Sequence, residues 1–127
     1  MAHVTVTSEH HFAQLIATGH HRLTSDEPIA RGGSDSGASP HELLLASLGA
    51  CTSITLRMYA ERKGWDVGAI SIALDLFKDG EVDRIERTVS FEKPITEEQR
   101  ARFLEIAGKT PVTKTVMHGA TITTTIR

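Results

Sequence analysis

Cys51 is the only cysteine in the chain, and it lies inside an uncharged run from Leu43 to Leu56. As a thiolate it could attack an electrophilic oxygen or sulfur; as a thiol it packs like a small hydrophobe. An ordinary thiol is only ~3% ionised at pH 7, so a reactive Cys51 needs a cation nearby. Arg57 is six positions on, about 120° away around a helix. A helix start at Pro40 lies about three turns back, beyond the reach of the dipole. The cation must come from another element, and Arg22 and Arg31 are available. Glu42 is the acidic candidate. On one helix it would sit half a turn from Cys51 with roughly 13 Å of rise between them. Glu42 therefore reads either as a helix-capping residue or as part of a site built across a dimer interface.

Other constellations carry less. Gly32 to Ser39 has the G-x4-G spacing of a phosphate loop, but Ala38 replaces its lysine and Asp35 would repel a phosphate. It reads as a mobile cover for the helix start. Of the seven histidines, His10-His11 and His20-His21 are adjacent pairs. Strand neighbours point to opposite faces, and no H-x3-H lies on a helix, so no metal site is expected. Ser47 and Ser53 lack the G-x-S-x-G elbow of a serine hydrolase.

The elements that must position Cys51 follow from caps and periodicity. Ser39, Pro40 and Glu42 form a capping box with proline at the first helical position. Arg62, Lys63 and Gly64 suit its end. The spacing predicts a helix over 40–63, roughly 36 Å long. Its middle is apolar or small on every face, so it must be covered all round.

Before it, alternation predicts strands at 3–7 and 12–17 and a short third one over 20–24. After it come an alternating strand from Ile70 to Leu76, an Asp79-Gly80 hairpin turn and a return strand from Val82 to Phe91 with Ile85, Val89 and Phe91 on its apolar side. Thr96 to Gln99 is a second capping box, opening a helix to about Ala107 with Glu98 and Arg102 as an exposed pair. Pro111 to Met117 reads as a short helical turn, and Ala120 to Ile126 as a last strand.

The fold class is therefore α+β, about six short strands around a long central helix, in a single domain spanning 1–127. These elements cover one side of that helix. A two-fold dimer with central helices packed together is the simplest cover for the other.

A net charge of −2 leaves no footprint for nucleic acid or an anionic membrane. The uncharged run is too short and too rich in Ser, Thr and Gly to span a bilayer, and no signal peptide is expected at the start. A single cysteine allows no internal disulfide and fits the reducing cytoplasm.

The stretch Gly32-Gly33-x-Asp35-x-Gly37-x-Ser39-Pro40-x-Glu42, continuing through Gly49-Ala50-Cys51-Thr52 to Arg57-Met58-Tyr59-Ala60, resembles the OsmC/Ohr family of osmotically inducible and organic hydroperoxide resistance proteins. Arg84-Ile85-Glu86-Arg87-Thr88, Glu97 to Arg102 and Pro111-Val112 are similar to the second half of that family. The resemblance implies an α+β, intertwined homodimer. It also implies thiol-dependent reduction of organic hydroperoxides with no cofactor, Cys51 being the attacking residue.

In the family a second cysteine before a proline closes a disulfide; here that position is Thr110. The family's activating Glu usually falls where this chain has His41, and its arginine near the first β-turn, where this chain has Ser8 to Phe12. The catalytic set to test is thus Cys51, Glu42 and Arg22. Two readings follow. One is a single-cysteine peroxidase with an external thiol as reductant. The alternative is a non-catalytic module binding a small apolar ligand at the dimer interface.

Overall fold

A computed structural model describes residues 1–127. The chain divides into two compact units, residues 1–44 and 45–127. In the first, β1 (Thr5–Ser8), β2 (Gln14–Thr18) and β3 (His21–Ser25) form an antiparallel meander. Thr5 pairs with Ala17, and Thr18 with His21 across a two-residue turn.

The loop after β3 has a hydrogen-bonded frame, where the sequence predicts a mobile cover. The Asp26 carboxylate, almost fully buried, accepts from the Ser36 hydroxyl at 2.7 Å and from the backbone N–H groups of Glu27, Ser34 and Ser36. Those donors, the Ser36 hydroxyl foremost, hold the carboxyl below its ordinary range. Gly33 is required by this wrap: a Cβ there would stand 2.0 Å from the Glu27 carbonyl oxygen.

Helix α1 (Pro40–Lys63) begins and ends where its caps predict. Glu42 accepts from the Ser39 N–H at 2.9 Å, and the Ser39 hydroxyl accepts from the Glu42 N–H at 3.3 Å, completing the capping box. In the second unit, α1 is followed by β4 (Ile70–Phe77) and β5 (Arg84–Phe91), an antiparallel hairpin in register from Ile70↔Phe91 to Phe77↔Arg84. Then come α2 (Glu97–Ala107), with its Thr96/Gln99 capping box, and α3 (Pro111–His118), N-capped by Thr110 with Pro111 in its first turn.

The core of this unit is Leu56, Ala60, Val67 and Phe103, with Trp65, Val89, Phe91 and Ile106 packed around them. Phe103 stacks on Phe91 at 4.8 Å and meets Trp65 edge-on at 5.5 Å. Burying a side chain such as Leu56 or Phe103 stabilises the fold by about 2 kcal/mol. Gly49 lets the hairpin close on the helix, because a Cβ there would come within 2.8 Å of Leu74 Cδ1.

Further expectations change. Ala120 to Ile126 forms no strand, so the chain has five strands rather than six. Alternation needs a ladder partner, and this chain offers none there; Ile122 and Ile126 are exposed. Arg102 bonds Glu105 and the Tyr59 hydroxyl rather than Glu98. The helix around the uncharged run is also long and apolar enough to cross a membrane by length and composition, although Leu48, Thr52, Leu56 and Ala60 are buried along one stripe of it.

Candidate functional site

The stripe at Leu48, Thr52, Leu56 and Ala60 repeats every four residues, as one face of a helix does. Cys51 stands beside this stripe, a free thiol of intermediate exposure. Its carbonyl accepts from the Thr55 hydroxyl at 2.7 Å. Thr52, the next residue, is completely buried. Its hydroxyl donates to the Leu48 carbonyl at 2.7 Å, which leaves its lone pairs free to accept.

What they accept is an arginine. On the hairpin the half-buried positions are Ile70, Ile72, Leu74, Leu76 and Phe77 from β4 with Ile85, Arg87, Val89 and Phe91 from β5. Arg87 is the one charged side chain in that row. Its Nη1 donates to Thr52 Oγ1 at 2.9 Å and to Thr113 Oγ1 at 2.9 Å, and its Nη2 donates to the Ala107 carbonyl at 2.9 Å.

Thr113 also donates to the Ala107 carbonyl, at 3.3 Å. With that proton committed, the Thr110 hydroxyl is the donor in the 2.6 Å Thr110–Thr113 contact. Thr110 meanwhile caps α3 by accepting from the Thr113 N–H. Thr52, Arg87, Thr113 and Thr110 thus form one polar network inside apolar surroundings, and no buried side-chain nitrogen or oxygen lacks a partner.

The guanidinium has no carboxylate within ion-pair distance. Burial pulls its pKa below the ordinary value, and negative charge at Cys51 acts in the opposite direction. Arg87 also lines two grooves. One, of about 390 Å³, is walled by Leu48, Ile85, Val89, Leu104, Val116 and Met117. The other, of about 310 Å³, has Leu56, Phe103 and Arg100 in its wall. Cys51 is outside the lining of both.

Of the residues singled out from sequence, Cys51 belongs to the second unit, and Arg22 and Glu42 to the first. Arg22 Nη1 donates to the carbonyls of Gly19 and His21, bracing the β2–β3 turn. Glu42 completes the cap of α1, and the Ser39 N–H is the main cause of its lowered pKa. Arg57 is likewise engaged, donating to the Gly68 carbonyl at 2.6 Å.

The residue that sequence reasoning missed is Arg87. Its signal was present: an arginine interrupts the alternation Ile85-x-Arg87-x-Val89-x-Phe91 where an apolar side chain is due.

The same fold and helix are found in known proteins. The model of the family described as OsmC-like protein matches residues 33–125, and the chain belongs to that family. Among solved structures it is similar to an OsmC-like protein from Mycoplasma pneumoniae, with 18% identity over 94% of this chain and 89% of that one and a TM-score of 0.80. It is also similar to the organic hydroperoxide resistance protein OhrB of Bacillus subtilis, with 22% identity over 94% and 92% and a TM-score of 0.64. A hypothetical protein from Aquifex aeolicus shares 19% identity over 94% and 89%, with a TM-score of 0.76. No curated protein matches the chain in sequence.

Proposed function

We propose that this OsmC-like chain reduces organic hydroperoxides through Cys51, with a thiol from the surrounding cytoplasm as reductant. The observation that carries the reading is the placement of the sole cysteine: part-exposed on α1, next in sequence to the threonine that receives Arg87.

The Cys51 thiolate attacks the terminal peroxide oxygen, the O–O bond breaks, and the leaving alkoxide takes a proton to become the alcohol. Cys51 is then a sulfenic acid. An external thiol attacks its sulfur and water leaves. A second thiol breaks the resulting mixed disulfide, releasing an external disulfide and the Cys51 thiol. Thr110 cannot take the part of an internal second thiol. Cys51 is the nucleophile in this scheme, while Glu42 and Arg22 act through the elements they brace.

The working unit in this reading is a homodimer with one site per 1–127 domain. The support is the uncovered part of α1, where Ile54 and Met58 are exposed beside the buried stripe. An apolar helix face of that kind is ordinarily covered.

The experiment is to treat the protein with cumene hydroperoxide, with and without dithiothreitol, and follow both peroxide loss and Cys51 mass. Expected are a one-oxygen adduct on Cys51 without thiol, steady turnover with it, and neither in Cys51→Ser. Sedimentation at micromolar concentration should give a dimer, and a folded monomer would remove the assembly. An unmodified Cys51 in folded protein would favour the second reading, a binding module. The apolar groove of about 390 Å³ beside Arg87 is what speaks for that one.

A further inference from the structure

We infer that the groove beside Arg87 is a binding site for a small apolar monocarboxylate, its carboxylate docking on the free edge of the guanidinium and its chain on the apolar wall. This rests on the binding-module reading and gives it a ligand class. It stands apart from the thiol chemistry, because Cys51 is outside the lining of both grooves.

The free edge follows from the bonds already made. Nη1 gives its two protons to Thr52 Oγ1 and Thr113 Oγ1, and Nη2 gives one to the Ala107 carbonyl. Thr113 Oγ1 and that carbonyl oxygen are themselves 3.3 Å apart. Acceptors so close together lie side by side at the tip of the guanidinium, where an Nη1–H and an Nη2–H run parallel. What remains is the Nε–H and the Nη2–H next to it, the side edge of the fork. That pair is spaced to donate to both oxygens of one carboxylate. No buried side-chain nitrogen lacks a partner, so the unbonded Nε reaches open space.

The surroundings set the rest of the ligand. Both grooves have Arg87, Val89, Leu104 and Ala107 in their linings, and neither lining holds an Asp or Glu. Nothing there competes with an incoming carboxylate. Along the larger groove, of about 390 Å³, Ile85 and Met117 continue the apolar wall, and the volume suits a short chain. Leu104 is 76% exposed and Met117 71%, apolar surface that such a chain would cover. Arg100, in the smaller groove, is already close to Glu97 at 3.6 Å. Arg87 is therefore the one unmatched cation, which suits a monoanion rather than a phosphate dianion. A neutral ligand of the same length would leave its half-buried charge unanswered.

The test is calorimetric titration of the whole protein with octanoate and octan-1-ol, and with hexanoate and decanoate. Octanoate should saturate and bind at least about tenfold tighter than the alcohol. Each added CH₂ should tighten the acid about two- to fourfold until the groove is filled. The Arg87 Nε–H resonance should move with octanoate and stay in place with octan-1-ol. Arg87→Gln should lose the preference for acid over alcohol. If that variant fails to fold, Leu104→Glu decides, because its side chain is exposed. The carboxylate it adds should weaken octanoate more than octan-1-ol.

Equal binding of acid and alcohol by the wild type, or no saturable binding of octanoate at millimolar concentration, overturns the inference. So does an acid that binds without moving the Arg87 resonance. Octanoate binding that vanishes as protein concentration rises into a dimer's range would assign the groove to a second copy, and overturns it too. Peroxide turnover and Cys51 mass are read separately and bear on the thiol alone.

Discussion

Replacing Thr113 by valine removes one oxygen and keeps nearly the same side-chain volume, so its cost isolates the polar network around Arg87. Thr113 Oγ1 accepts from Arg87 at 2.9 Å and from Thr110 at 2.6 Å, and donates to the Ala107 carbonyl at 3.3 Å. Thr113 is buried, so water cannot readily replace these bonds. The Ala107 carbonyl keeps its bond from Arg87 Nη2, and Arg87 Nη1 keeps Thr52. What is lost outright is one charged bond and the acceptor for the Thr110 hydroxyl.

A bond to a charged group contributes roughly 1.5–3 kcal/mol and a neutral one about 1 kcal/mol. Allowing for relaxation, Thr113→Val should cost about 2–3 kcal/mol. With a urea m-value of about 2 kcal/mol/M, the midpoint should fall by about 1–1.5 M. Trp65 is the only tryptophan and packs against Phe103 in the same unit, so its fluorescence reports the transition. Protein concentration must be held fixed, because a dimer's midpoint depends on it. Thr115→Val is the control. Its hydroxyl bonds only the Pro111 carbonyl from an exposed position, and it should cost less than about 0.5 kcal/mol. If the two variants unfold at the same urea concentration, the network is not a source of stability and the reasoning fails.

Acid should loosen the loop after β3. The Asp26 carboxyl binds its proton more weakly folded than unfolded, so its stabilising effect is present above the unfolded value near 3.8 and is lost as pH falls through the lower folded value. Amide exchange at Ser34 and Ser36, whose N–H groups end on Asp26, should therefore accelerate below about pH 4 beyond the intrinsic trend, and do so at neutral pH in Asp26→Ala. Protection unchanged in that variant would show the carboxylate to be dispensable. Thr110→Cys should form a disulfide with Cys51 after peroxide treatment, visible in a non-reducing peptide map. An introduced thiol that stays free in folded, oxidised protein would mean that α3 does not bring this position to Cys51.

Local chemistry made much of the fold legible in the sequence. Ser39, Pro40 and Glu42 open α1 and Thr96 and Gln99 open α2 through bonds that span three residues, so no distant contact was needed to find them. The Asp79-Gly80 signal marked the break between β4 and β5, but the connection is a six-residue loop over 78–83 rather than a two-residue turn, and β5 starts at Arg84 rather than Val82. The Gly32-to-Ala60 pattern carried the family. Pairing and facing are non-local, and only the tertiary structure decided them. Because α1 is apolar or small on all sides, its periodicity could not say that Leu48, Thr52, Leu56 and Ala60 would be the buried stripe. The alternation of Ala120 to Ile126 is equally a statement about one strand alone, and a strand exists only where another backbone meets it. For Arg87 an arginine in an apolar register marked an exception, but what it was for depended on a threonine 35 residues earlier and another 26 residues later. Charge and hydrogen bonding act through space, and chain order does not contain the distances that decide them.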